Sequence, residues 1–169
     1  MDTISRNTTR NAVTHIEGRE FLMAAKRKPM TPDPDATLRS IMEGPASASG
    51  EHFFRSLVQY LAVSLNVKSS FVAEFNPERT KVQTLAVWVD GQHVPNFDFG
   101  IEGTPCKHVL SGAIQHFADD VQQLFPTNDH LRALDARSYL AIPLMDEAGV
   151  VVGHLAVIDD KENNTNKRK

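Results

Sequence analysis

The clearest pattern in the sequence is an apolar stripe at helical spacing in the segment that follows Ser49. Apolar residues recur there at i, i+3, i+4, i+7 and i+11, namely Phe54, Leu57, Val58, Leu61 and Leu65. Ser49 suits the N-cap position, and Glu51 places a negative charge in the first turn, where it favours the helix dipole. The spacing predicts an amphipathic helix that ends near Asn66.

Alternating apolar and β-branched residues predict strands in the rest of the chain. The predicted strands cover residues 70–75, 81–90, 93–97, 138–145 and 150–158, and short turns join the first two and the last two into hairpins. Leu140, Ile142 and Leu144 alternate as in a half-buried strand. Pro143 lies between them and has no N–H to donate, which predicts a sheet edge or a bulge at that point.

Residues 98–136 have a different character, because glycine and proline interrupt every local pattern. Three short helices are predicted, at 105–110, 120–124 and 128–135, with a short strand at 114–117 between the first two. Asp119 and Asn128 are the predicted caps of the second and third helices. A segment of this length between two hairpins is typical of a lid or a binding loop.

The order of these elements predicts an α+β domain built on a mostly antiparallel sheet of five to six strands. Residues 1–34 carry no sustained apolar face and are interpreted as a flexible leader. The domain is predicted to cover residues 35–160. Residues 161–169 are polar and charged, which predicts a disordered tail.

Composition narrows the class of protein. The chain has 169 residues, of which 41% are hydrophobic and 23% charged, with a formal net charge of −3. Such a balance gives no basic surface for nucleic acid. No apolar run reaches the ~18 residues of a membrane span, and the only cysteine, Cys106, cannot form an intrachain disulfide. We therefore expect a cytoplasmic protein that binds neither nucleic acid nor membrane.

Five segments of the sequence together are typical of one family: FVAEF (71–75), GTPC (103–106), FADDVQQLFP (117–126), SYLAIPLMD (138–146) and GVVVGHLAV (149–157). Through these segments the chain resembles the GAF domain of bacterial sensory proteins. The resemblance implies a profilin-like sheet with helices near both termini on one face. It also implies that residues 98–136 roof a pocket on the other face, and that the module passes a signal to an output domain such as a histidine kinase, a cyclase or a transcription activator.

Apolar residues of the middle segment are expected to lie on the sheet and to leave gaps beneath the short helices. The residues predicted to line this ligand site are Phe97, Phe99, Cys106, Phe117 and Tyr139. The ligand is an unidentified small molecule, and the sequence indicates no particular cofactor or metal.

Cys106 and His154 are the residues that could carry chemistry. Cys106 is interpreted as a small buried side chain, with redox sensing as the alternative and bilin attachment disfavoured. The sulfoxide reduction known from some GAF relatives lacks its second cysteine here. His154 is expected to be hydrogen-bonded or to face an edge. The chain is therefore predicted not to be an enzyme.

The leading hypothesis is a sensory binding module. The alternatives are a GAF fold without ligand that serves dimerisation, and a small redox enzyme that uses Cys106. A homodimer is predicted through the apolar faces of residues 36–43, which include Leu38, Ile41 and Met42, and of the ends of the helix over 50–65.

Overall fold

The computed structural model describes residues 50–163. Its helices are α1 (Gly50–Leu65), α2 (Cys106–Val109), α3 (Val121–Leu124) and α4 (Asp129–Ala133). Its strands are β1 (Ser69–Phe75), β2 (Lys81–Val89), β3 (Gln92–Val94), β4 (Asp98–Gly100), β5 (Gln115–Phe117), β6 (Ser138–Met145) and β7 (Val151–Asp159). The predicted leader, the segment 36–43, the cap Ser49 and residues 164–169 of the predicted tail lie outside the described residues.

In this region the strands form one antiparallel sheet in the order β3-β2-β1-β7-β6-β5. Strand β4 also pairs with β2, at the end opposite to β3. β3 and β4 therefore lie along the same side of β2 and form one interrupted edge of the sheet. Strand β4 was not among the predicted strands. The α+β, GAF-like architecture expected from the sequence is confirmed, with seven strands rather than five to six.

Helix α1 covers one face of the sheet. Its buried Val58 and Ala62 pack against Val72 of β1 and against Ala86 and Trp88 of β2. Of the apolar stripe that predicted this helix, Val58 is buried and Phe54 packs beside it, whereas Leu65 is 49% exposed. Burying an aliphatic side chain such as Val58 stabilises the fold by about 1.5–3 kcal/mol.

Strand β6 has the predicted bounds, and its more deeply buried side chains are those that alternate with Leu140, Ile142 and Leu144. Tyr139 and Ala141 are buried, whereas Ile142 is 40% exposed on the face that also carries α1. The side chains on both faces of β6 are apolar, so their alternation alone does not tell which face packs against the larger core. The edge predicted at Pro143 is confirmed, because β5 pairs only with residues 139–141 and leaves Pro143 next to β7 alone.

The second face of the sheet carries the short helices of the middle segment. Asn128 caps α4 as predicted, since its Oδ1 accepts from the N–H groups of His130 and Leu131 at 3.1 and 3.2 Å. The prediction for Asp119 is wrong, because α3 follows Asp120 in a left-handed conformation with φ of 60° and has no side-chain cap. Asp119 instead accepts from Nε of Arg137 at 2.8 Å, an ion pair that holds the pKa of Asp119 below its usual value.

Within residues 50–163 no helix has both the length and the apolar character needed to cross a membrane.

Candidate functional site

A narrow cavity lies between the sheet and the short helices of the middle segment. The sheet supplies the floor through Phe71, Val87 and Ile158, which lie on neighbouring strands. The other lining residues are Thr84, Phe97, Phe99, Pro105, Cys106, Asn128, His130, Leu131 and Tyr139. The roof is therefore formed by the starts of α2 and α4 and by the approach to β4.

The cavity is narrow and reaches solvent, and its volume is about 30 Å³. Small-molecule sites span roughly 300–1,000 Å³, so this cavity is well below that range.

Hydrogen bonds to Thr84 fix Phe97 over the floor. The N–H of Phe97 donates to Oγ1 of Thr84 at 2.9 Å, and the N–H of Thr84 donates to the Phe97 carbonyl at 2.9 Å. Asn96 holds the same turn, since its Nδ2 donates to the Leu85 carbonyl at 3.0 Å. These bonds occupy the gap between β3 and β4, where the edge of the sheet is interrupted.

Phe97, Phe99 and His130 form an aromatic wall. The His130 ring lies 5.0 Å from the ring of Phe97 and 5.4 Å from that of Phe99, measured between centroids. Burial lowers the pKa of His130, although the carboxylate of Asp129 opposes the shift. The imidazole is therefore neutral near pH 7 and adds a polarisable ring to the wall.

Cys106 and Tyr139 meet on the opposite side of the cavity, with Sγ and the phenol oxygen 3.5 Å apart. The thiol is 3% exposed, and burial raises its pKa to about 11. Burial also raises the pKa of Tyr139 well above its usual value. Because the thiolate is the nucleophilic form, a thiol in this environment is poorly suited to redox or covalent chemistry.

Four of the five residues predicted to line the site do so, namely Phe97, Phe99, Cys106 and Tyr139. Phe117 is not among the lining residues. Its ring packs edge-on against Phe125, with a centroid distance of 5.2 Å, and lies 6.2 Å from Tyr139, behind the wall of the cavity.

Several lining residues escaped the sequence analysis. Phe71 and Val87 were recognised as strand residues, and their alternation could have placed them on the floor. Asn128 was predicted only as a helix cap and His130 only as part of the same short helix. No local signal brings α4 against Phe97, because that contact depends on the path of the whole middle segment.

His154 contradicts its expectation, since it is fully buried and not at an edge. Within the described part of the chain, neither of its ring nitrogens has a hydrogen-bond partner. The ring stacks on Phe75 and meets the edge of Phe71, both at 5.3 Å between centroids. His154 therefore lies beneath the roof, on the far side of Phe71 from the cavity. Residues 50–163 contain no group of three or more His, Cys, Asp or Glu placed to hold a metal ion.

An antiparallel sheet with a helix on one face and a roofed apolar cavity on the other defines a class of α+β ligand-binding fold. The GAF domain family matches residues 49–167, which is more than half of the chain. The chain belongs to the GAF domain family. No curated protein matches the sequence significantly.

Solved structures support the same fold. The GAF domain of an Acinetobacter phosphoenolpyruvate-protein phosphotransferase is 16% identical and has a TM-score of 0.55, over 80% of this chain and 82% of that one. The phycocyanobilin-bound GAF domain of a cyanobacterial phytochrome is 13% identical, with a TM-score of 0.56 over 82% and 86%. Residues 122 to 287 of a methyl-accepting chemotaxis protein are 16% identical, with a TM-score of 0.57 over 78% and 86%.

Proposed function

We propose that the chain is a sensory or regulatory GAF module that binds a small molecule beneath its roof and passes the signal on. The observation that carries the proposal is the apolar cavity between the sheet and α2 and α4. A concave apolar site with few polar groups is the usual form of a small-molecule site. Similarity in fold to domains of a phytochrome and of a chemotaxis protein is consistent with sensing.

The sheet offers a physical route for the signal. Phe71 of β1 lines the cavity, and the next residue, Val72, packs against α1 on the other face. A ligand that favours one arrangement of Phe71 thereby biases the position of α1. The size of the response is limited by the difference in ligand affinity between the two arrangements. The receiver is an output domain or partner of a two-component or cyclic-di-nucleotide system.

We propose further that the module is not an enzyme. Its only thiol is buried and has a raised pKa, so that little thiolate exists at neutral pH. This argues against the redox alternative based on Cys106.

The dimerisation alternative rests on a separate observation. Phe53 and Leu65 are 51% and 49% exposed on α1, and Ile142 is 40% exposed on the same face of the sheet. A contiguous exposed apolar patch is typical of an interaction surface. We propose a homodimer through this face, which light scattering at micromolar concentration tests. A monomer alone would contradict it.

Native mass spectrometry of the freshly purified full chain tests the ligand-binding function. We expect a small retained mass on the wild type and its loss in Cys106→Phe, whose larger side chain fills the cavity. The matched control is Val109→Phe, three residues on in the same helix, where the side chain is buried away from the cavity. Equal loss in both variants would contradict the proposal. A clean dimer mass without ligand would favour the dimerisation alternative.

A further inference from the structure

We infer that residues 36–43 pack, within the same chain, on the apolar surface that β6 and β7 present beside α1. This surface, the β6–β7 face, comprises Leu140, Ile142 and Leu144 of β6 and Leu155 of β7. The contact is intramolecular and does not depend on the ligand site.

The β6–β7 face is apolar and incompletely covered by the described part of the chain. Ile142 lies opposite Leu155 in the pairing of β6 with β7, and Leu144 and Leu155 border the cluster beneath α1. Ile142 is 40% exposed, and the other three side chains are half-buried. An antiparallel sheet that turns one face to water normally carries polar residues on that face. An apolar face indicates instead that another element covers it.

The space beside α1 has the width of one helix. α1 packs over β1 and β2, and β7 and β6 are the next two strands in the sheet. Because strands lie about 4.8 Å apart, the pair β7–β6 is centred about 10 Å from the pair β2–β1. Packed helices also lie about 8–10 Å apart. A second helix beside α1 would therefore lie directly over the β6–β7 face.

Residues 36–43 have the apolar spacing needed to cover this face. Leu38, Ile41 and Met42 recur at i, i+3 and i+4, which is the spacing of one side of a helix. A helix over 36–43 would be about 12 Å long, and the three side chains of β6 extend over about 14 Å of strand. The tail at 164–169 contains no apolar residue and cannot supply such a side.

The connection to α1 suits a contact within the chain. Only residues 44–49, with the sequence GPASAS, separate the segment from Gly50. The chain from residue 43 to Gly50 can span at most about 25 Å, which exceeds the ~10 Å between the two pairs of strands. So short a connection gives an effective concentration in the millimolar range, which favours the contact within one chain over the same contact between two chains at micromolar concentration.

One residue of the proposed dimer face belongs to this intramolecular contact. Ile142 is then covered within the chain, and Phe53 and Leu65, which are exposed on α1, remain for the contact between protomers. A second copy of the chain seated on the β6–β7 face is the alternative occupant, and cross-linking distinguishes it from residues 36–43.

Paired cysteine substitutions in the full chain test the contact. The native thiol does not interfere, because Cys106 is 3% exposed and burial raises its pKa to about 11. Ile142→Cys is combined in turn with Leu38→Cys, Ile41→Cys or Met42→Cys, and each protein is oxidised mildly at micromolar concentration. A disulfide requires Cα atoms within about 7 Å, so it forms only where the two positions meet. Non-reducing electrophoresis and intact mass separate disulfides within a chain from those between chains.

The matched control places the second cysteine on the other face of the sheet, in Leu124→Cys, where the native side chain is 58% exposed on α3. We expect at least one Ile142→Cys pair to form a disulfide within the chain, in about tenfold higher yield than the same partner with Leu124→Cys. Equal yields with the two faces would overturn the inference. Disulfides only between chains would assign the face to a second copy and overturn it too, as would the absence of any disulfide at Ile142→Cys.

The rate at which iodoacetamide modifies the single variant Ile142→Cys gives a second measurement. Ile41→Asp in the same chain places a charge on the apolar side of the segment and should raise this rate about tenfold, because a carboxylate is disfavoured against an apolar face. Ser40→Asp lies on the opposite side of the same helical turn and should leave the rate unchanged. Equal rates in the two variants would show that residues 36–43 do not cover Ile142.

Discussion

The buried imidazole of His154 makes the stability of this domain depend on pH. Burial lowers the pKa of its imidazole from 6.5 to about 4. The unfolded chain then takes up a proton as the pH falls through 6.5, while the folded chain stays neutral until about pH 4. Stability is therefore lost as the pH falls through this window. From pH 7 to pH 5, protonation of this imidazole in the unfolded chain lowers the free energy of unfolding by about 2 kcal/mol.

Replacing the imidazole removes this dependence. His154→Phe should retain the packing on Phe75 and Phe71 and eliminate two buried nitrogens that have no partner in residues 50–163. Since an unsatisfied buried group costs about 1–3 kcal/mol, we expect the variant to be at least as stable as the wild type at pH 7. At pH 5 it should be the more stable of the two by a further ~2 kcal/mol.

Urea unfolding at pH 7 and pH 5 measures the effect. Burial also raises the pKa of Asp90 to about 6, and this group makes the fold more stable as the pH falls. The effect of His154 is therefore measured as the difference in unfolding free energy between the variant and the wild type at each pH. The control is His52→Gln on the exposed start of α1, which should keep the wild-type fall. If His154→Phe loses as much stability between the two pH values as the wild type, the argument from burial is refuted.

Further predictions concern the roof and the sheet. Asn128→Ala removes the cap of α4 and should cost about 1 kcal/mol in urea unfolding, whereas Asn128→Asp should retain most of it; equal losses would contradict the capping role. Gly153→Ala places a Cβ against the carbonyl oxygen of Ala73, a backbone clash expected to cost about 1–3 kcal/mol. A Cβ at residue 149 has no neighbour within 4 Å, so Gly149→Ala should cost less stability, through its positive φ alone. If Gly153→Ala were as stable as Gly149→Ala, the close approach of Gly153 to the Ala73 carbonyl would be refuted.

The sequence predicts most of the elements because their patterns are local. The stripe from Phe54 to Leu65 identifies α1, and the bounds of β6 agree with the predicted strand at both ends. Strand β4 was missed because it has three residues and forms only by pairing with residues 81–83 of β2. Such non-local pairing leaves no signal in a short window.

The site was predicted only in part for a related reason. Aromatic residues in a segment rich in glycine and proline indicate that the segment packs these side chains on the sheet. This reasoning identified Phe97 and Phe99. The same reasoning chose Phe117, whose side chain packs one layer behind the cavity against Phe125. It missed His130 because its place in the wall depends on where α4 sits, and the buried state of His154 depends on the roof above it.

The central claim is that space remains between the roof and the sheet at Cys106, and the stability of Cys106→Phe tests it most directly. In urea unfolding of the full chain, Cys106→Phe should lose less stability than Val109→Phe, because part of the new ring occupies the cavity. Val109→Phe, at a fully buried position away from the cavity, should lose about 1–3 kcal/mol through overpacking. Equal losses in the two variants would show that Cys106 lies in solid core, and would contradict the account.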